Sequence, residues 1–171
     1  VQAGKVREIG CSNFSVEQLQ EAEAAAAGKT GFSSVQNHYS LLHRDPEQGV
    51  LAECERQHLG FLPYFPLANG LLTGKYQKGQ PPPPDTRLAA VDRFSGEPLS
   101  AQVTQMEALR AFVESRNHTL LELAFSWLLT RPVVASVIAG ATKPEQIEAN
   151  AAAVHWQLSP EDLAEIDRIL G

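Results

Sequence analysis

Hydrophobic and polar positions along this chain switch repeatedly between the short apolar run of a strand and the three- and four-residue spacing of a helix. Val6-Arg7-Glu8-Ile9-Gly10-Cys11 reads as a short strand, and Gly4 before it suits the residue that closes a helix. Ser15 is placed to cap a helix from Val16 to Ala27, closed by Gly28, and the alanines Ala24 to Ala27 permit close packing on a sheet. A second strand is expected at 32–36. Asp45-Pro46-Glu47 then opens a helix that runs to about His58, with Val50, Leu51 and Cys54 on one face. Phe61-Leu62-Pro63-Tyr64-Phe65, bounded by Gly60 and Pro66, reads as a buried parallel strand. Further helices are expected at Ser100 to Arg116, Thr119 to Thr130, Pro144 to Ala153 and Ser159 to Leu170. In the second of these, Leu120, Leu123, Ala124 and Trp127 form a core-facing stripe. Val133 to Ala139 is continuous and β-branched, the pattern of a strand covered on both faces.

Strands near 6–11, 32–36, 61–65 and 133–139 thus alternate with helices, which predicts an α/β fold of βα units on a parallel sheet. Four such strands leave two open edges. The stretch 77–99, with Pro81 to Pro84, cannot be helix or central strand and is expected to be a surface excursion. Opening on Val1 inside what reads as a helix end, the chain looks like a segment of something longer.

Composition narrows the function. The 43% hydrophobic and 20% charged residues are those of an ordinary globular protein. A net charge of −6 without a basic cluster argues against nucleic acid or an anionic membrane surface as partner. No apolar run reaches membrane-spanning length. Cys11 and Cys54 lack metal-ligand spacing and read as buried thiols in a reducing, cytoplasmic setting.

The most distinctive chemistry lies in Gly60 to Tyr76, GFLPYFPLANGLLTGKY. A ring at a strand tip, a glycine-containing loop and then Lys75 suit stacking of a flat group and pairing of a phosphate. A buried strand followed by a surface turn accounts for the same residues equally well.

The motifs GKVREIGCSNFS, SVQNHYS, PYFPLANGLLTGKY, LAFSWLL and VIAGATKPEQIEAN occur in the order of an aldo-keto reductase. The whole chain resembles the C-terminal half of that family, in the branch with bacterial reductases and potassium-channel β subunits. The resemblance implies a TIM (β/α)8 barrel, with residues 1–171 supplying about the last four βα units, 77–99 a loop and 159–171 a C-terminal helix. It implies NADP as cofactor, bound at the C-terminal ends of the strands, and a small aldehyde or ketone as substrate.

By the same resemblance Ser12, Asn13 and Gln36 bind the nicotinamide carboxamide, and Tyr64 stacks on the nicotinamide ring. Phe65 belongs to the cofactor-binding set and, with the surroundings of Tyr39 and the 77–99 excursion, is a candidate for lining the substrate. Pro66, Leu67, Asn69, Gly70 and Lys75 match the loop that crosses the pyrophosphate. Gly140, Ala141 and Thr142 match the turn at the adenosine phosphate, and Gln146 and Asn150 the helix residues at the 2′-phosphate ribose and adenine. Ala149 stands where relatives often carry Glu, and Gln146 where some carry Arg, which weakens the preference for NADPH over NADH. The family's catalytic Asp, Tyr, Lys and His belong to four earlier strands that are not in this sequence, so no catalytic residue and no metal site is assigned. The five histidines, including His38 and His43, read as surface or supporting residues. The implied function is NADPH-dependent carbonyl reduction. In that reading the N-terminal half is missing from the segment, cleaved, or supplied by another chain; the alternative is an inactive nucleotide-binding module or a half-barrel that completes itself by self-association.

Overall fold

In a computed structural model, which describes residues 1–76, 80 and 97–171, the regular elements follow the capping signals closely. Strands β1 (Gly10–Ser12), β2 (Ser34–Gln36) and β3 (Gly60–Phe61) alternate with helices α1 (Val16–Ala25) and α2 (Val50–Gln57). Helices α3 (Glu97–Glu114), α4 (Leu120–Leu129), α5 (Pro144–Ala152) and α6 (Pro160–Leu170) follow. Ser15, Thr119 and Ser159 each close a capping box, with Gln18, Glu122 and Asp162 as the reciprocal partners, so three helix starts rest on satisfied backbone N–H groups. Pro144 occupies the first turn of α5.

Two compact units result, 1–66 with 131–138 and 67–130 with 139–171. The first is a parallel sheet in the order β1-β2-β3, in which Cys11 opposes Val35 and Val35 opposes Phe61. Beyond β3, Val134 and Ile138 make parallel bridges to Phe61 and Tyr64. Val35 and Phe61 are fully buried. Helices α1 and α2 are clamped by Arg56, which pairs with Glu23 on α1 and Glu53 on its own helix. Tyr39, also fully buried, donates its hydroxyl to Glu47 at 2.7 Å and accepts from Arg131 Nε at 3.2 Å, tying the 131–138 segment to the loop after β2. Burial, together with the bond to Glu47, pushes the Tyr39 hydroxyl pKa well up.

In the second unit α4 buries the expected stripe, Leu120, Leu123, Ala124 and Trp127, and also Phe125, Ser126 and Leu128. Truncating such a residue, Leu123→Ala for example, costs on the order of 2–5 kcal/mol. Arg116, two residues beyond α3, makes an ion pair with Asp162 in the first turn of α6 at 2.7 Å.

The strands are shorter than the hydrophobic pattern predicts. Of 6–11 only Gly10 and Cys11 belong to β1, and Val6 and Ile9 are exposed. The run 61–65 contributes Phe61 to β3 and then one bridged residue, Tyr64, because Pro63 has no N–H to donate and Phe65 turns to φ 55°. At 133–139 two bridges replace a continuous strand. Val134 is buried but Ile138 is 40% exposed, so the expected cover on both faces is absent among the described residues. A continuous apolar run registers side-chain character, whereas a ladder also needs backbone neighbours on both sides.

Gly4 takes a left-handed φ of 70° in a turn in which its N–H donates to the Val1 carbonyl at 2.7 Å. Other expectations need correction. The helix expected from Asp45 divides into a 3-10 turn, Asp45–Gln48, and α2, separated by Gly49 at φ 152°. Helix α1 stops at Ala25, and most of the alanine run is exposed, not packed on the sheet. Cys54 is fully buried, with its thiol pushed up to about 12 by burial. Cys11 is only half-buried. Helix α3 begins at Glu97, three residues before the expected Ser100, and the remainder of the 77–99 excursion lies outside the described residues apart from Gln80.

Candidate functional site

Strand β1 ends in Ser12-Asn13, β2 in Gln36 and the β3 segment in Tyr64-Phe65, and the parallel register brings three of these chain ends together in the first unit. The Ser12 hydroxyl donates to the Gln36 carbonyl at 2.8 Å, and the Asn13 backbone N–H donates to the same oxygen at 3.0 Å. Tyr64 reaches across β2 and donates its hydroxyl to Asn13 Oδ1 at 2.8 Å. Asn13 sits at φ 59°, a left-handed conformation that asparagine tolerates better than other side chains.

This bonding leaves a defined set of groups over. Asn13 has its carbonyl oxygen occupied and its amide N–H₂ without a hydrogen-bond partner among the described residues; the Gln36 side-chain amide has none either. The Asn13 donor thus stands at the hydroxyl of a half-exposed tyrosine ring, and Gln36 at the end of the neighbouring strand carries a further donor and acceptor, a set of groups complementary to a planar carboxamide. Phe65 is 44% exposed and meets the Tyr64 ring edge-on, with centroids 5.2 Å apart. Tyr39, by contrast, is sealed in the clamp with Glu47 and Arg131 and presents no surface to a substrate.

In the second unit, Leu67 through Lys75 form a tight turn in which Ala68, Asn69 and Gly70 take positive φ values of 45°, 56° and 94°. A Cβ at Gly70 would lie 2.8 Å from both Cε and Nζ of Lys75, so the glycine is what lets the ammonium fold against the turn. The hydroxyl of Tyr76 is buried beside this turn without a hydrogen-bond partner among the described residues. Gly140, Ala141 and Thr142 are exposed in the approach to α5. Gln146 Oε1 accepts from the Thr142 N–H at 2.7 Å and from its hydroxyl at 3.2 Å, so the expected ribose-phosphate ligand is tied to the turn that leads into its own helix. Asn150 is half-buried on the same helix.

Sequence reasoning passed over one feature of this region, the stacking of His38 and His43 beside Tyr64. The available signal was the period-two spacing of Gln36 and His38, which puts both on one face of the strand end. In the structure itself, Asn13, Phe65, Ala68 and Asn69 take positive φ values, a backbone feature the sequence does not display. Among the described residues no group of three or more His, Cys, Asp or Glu is placed to hold a metal ion, and no helix is long and apolar enough to cross a membrane.

Comparison with known proteins identifies the family of the chain. The family model described as "Aldo/keto reductase family" matches residues 1–170. The L-glyceraldehyde 3-phosphate reductase of Escherichia coli O157:H7 is 34% identical, covering 98% of this chain and 50% of that protein. The aldo-keto reductase YhdN of Bacillus subtilis (strain 168) is 32% identical, with 98% and 50% covered. A putative voltage-gated potassium channel subunit beta of Schizosaccharomyces pombe is 33% identical, with 99% and 52% covered. Among solved structures, the glycerol dehydrogenase AKR11B4 from Gluconobacter oxydans superposes with a TM-score of 0.84 at 28% identity, over 99% of this chain and 50% of that one. The chain therefore spans about half the length of the relatives it matches, in keeping with its resemblance to a C-terminal half. On the family match over nearly its whole length, the chain belongs to the aldo/keto reductase family.

Proposed function

We propose that this chain is the cofactor-holding part of an NADPH-dependent reductase of small aldehydes or ketones. In this reading residues 1–171 supply about the last four βα units of a (β/α)8 barrel. The observation that carries it is the linked set Ser12, Asn13, Gln36 and Tyr64 at the C-terminal ends of adjacent parallel strands, with two side-chain amides left to bond a ligand. NADPH would supply the hydride for carbonyl reduction.

The chain's own residues have narrower tasks. Asn13 and Gln36 orient a carboxamide through donors and an acceptor, and Ser12 holds the Gln36 backbone in register. Tyr64 offers a flat face whose tilt is fixed by its bond to Asn13. Lys75, with the turn of Asn69 and Gly70 and the Pro66-Leu67 backbone leading to it, is suited to a pyrophosphate, because a cation folded on a glycine turn offers charge without bulk. The Gly140-Ala141-Thr142 approach to α5 suits the adenosine phosphate, where backbone N–H groups at a helix start favour an anion. Gln146 must release Thr142 to reach a ribose phosphate, and Asn150 lies one turn further on.

The test is a fluorescence titration of the purified chain with NADPH and separately with NADH, followed by addition of a reactive aromatic aldehyde. Saturable binding supports the reading, and tighter binding of NADPH than NADH supports the assignment of a 2′-phosphate site. Absence of binding to either overturns it. Aldehyde turnover reads a separate property, whether a proton donor completes the site.

A further inference from the structure

His38 lies two residues beyond Gln36, and its backbone bridges to Tyr64 in parallel register. The two rings stack, with centroids 5.5 Å apart and planes 16° from parallel. His43 is folded back onto His38 by a reciprocal pair of backbone bonds, Ser40 N to His43 O at 3.0 Å and His43 N to Ser40 O at 3.1 Å. The two imidazoles stack at 3.8 Å and 6°. Phe65 meets His38 edge-on at 5.6 Å. The Tyr64 ring is thus held by its hydroxyl bond at one end and by a ring stack along one side.

We propose that His38 is a positioning residue for Tyr64, and that the stacked His38–His43 pair makes the seating of a nicotinamide ring pH-dependent. The proposal rests on the reading of Tyr64 as the residue that stacks on the nicotinamide. Two imidazoles this close cannot both charge without repulsion. Desolvation, then the neighbouring His43, lowers the pKa of His38 from the ordinary imidazole value, with Asp45 acting in the opposite sense. The groups facing His38 are Tyr64 and Phe65 from the strand end and His43 and Asp45 from the loop after β2, the Asp45 carboxylate lying 3.6 Å from His43 Nε2.

The consequence has a sign. With its pKa held below the ordinary imidazole value, His38 is neutral at neutral pH, and the ring stack tolerates both redox forms of a nicotinamide. As pH falls below the ordinary imidazole value, His38 takes up a proton, and the positive charge disfavours the cationic oxidised ring while leaving the neutral reduced ring nearly unaffected. NADP⁺ therefore loses affinity relative to NADPH in acid, by roughly three- to tenfold for one charge acting across an intervening ring.

The test measures dissociation constants of NADP⁺ and NADPH for the whole chain from pH 5 to 8, alongside the ring resonances of Tyr64 by NMR. The expected result is a rise in the ratio of the two constants toward acid, with a matching step in the Tyr64 resonances. His38→Phe keeps the stack and should bind cofactor while abolishing the step; His38→Ala should move the Tyr64 resonances at every pH and weaken both forms. Binding with a pH-independent ratio, or a step that survives in His38→Phe, overturns the proposal alone. Failure of the unmodified chain to bind either form overturns the cofactor reading beneath it, and the proposal with it.

Discussion

The ring-binding residues and the phosphate-binding residues proposed here are held in different ways. Ser12, Asn13, Gln36 and Tyr64 are tied to one another across three chain segments. Asn69, Gly70, Lys75, Thr142 and Gln146 are tied to their own turns, with Lys75 folded on Gly70 and Gln146 bonded to Thr142. The difference follows from what each group must recognise. A carboxamide is read by directed hydrogen bonds, whose donors and acceptors must be placed within tenths of an ångström, and sheet register supplies that. A phosphate is read largely by charge and by backbone N–H groups, which act over longer distances and tolerate a locally built site.

Four substitutions break or sharpen this contrast. The largest effect is expected at Asn13→Ala, which removes the acceptor of the Tyr64 hydroxyl, an amide donor set and a side chain suited to φ 59°. It should weaken NADPH by about 3 kcal/mol; isothermal titration reads this, and an unchanged constant would detach the amide from the ring. Gly70→Ala comes next, at about 2 kcal/mol, because the new methyl displaces Lys75 and must adopt φ 94°. If the variant's affinity matches the parent chain, the turn does not carry the phosphates.

Lys75→Ala should cost about 1–2 kcal/mol in low salt and less as ionic strength rises, since a charge contact is screened. The Asn13→Ala loss should be nearly salt-independent; equal salt slopes for the two variants would erase the distinction between the two ends. The smallest effect belongs to Gln146→Ala, below about 1 kcal/mol, because the lost ligand contact is offset by freeing the Thr142 N–H. A larger loss would mean that Gln146 turns outward when cofactor binds.

Much of this was legible in the residues themselves. Ser15, Thr119 and Ser159 announced helix starts because a capping box is a local device, complete within four residues. The parallel sheet of alternating βα units followed from the hydrophobic pattern, whereas the candidate residues at the strand ends were implied only by the family resemblance. Strand extents did not, because Val6 and Ile138 have strand-forming side chains but, among the described residues, no ladder of neighbours to complete a strand. The histidine stack escaped notice for a related reason. His43 returns to His38 through a tight backbone reversal, and nothing in Ser40-Leu41-Leu42-His43 announces ring contact. The bond from Tyr64 to Asn13 spans 51 positions in sequence and depends on register across β2, which single-residue patterning does not contain.

The central claim, that Tyr64 and the strand ends around it seat a nicotinamide ring, is tested most directly by the nuclear Overhauser effect in the chain saturated with NADP⁺. The account predicts cross-relaxation between the nicotinamide ring protons and the ring protons of Tyr64, lost in Asn13→Ala at the same fractional saturation. Bound cofactor whose nicotinamide protons show no contact with Tyr64 would contradict it.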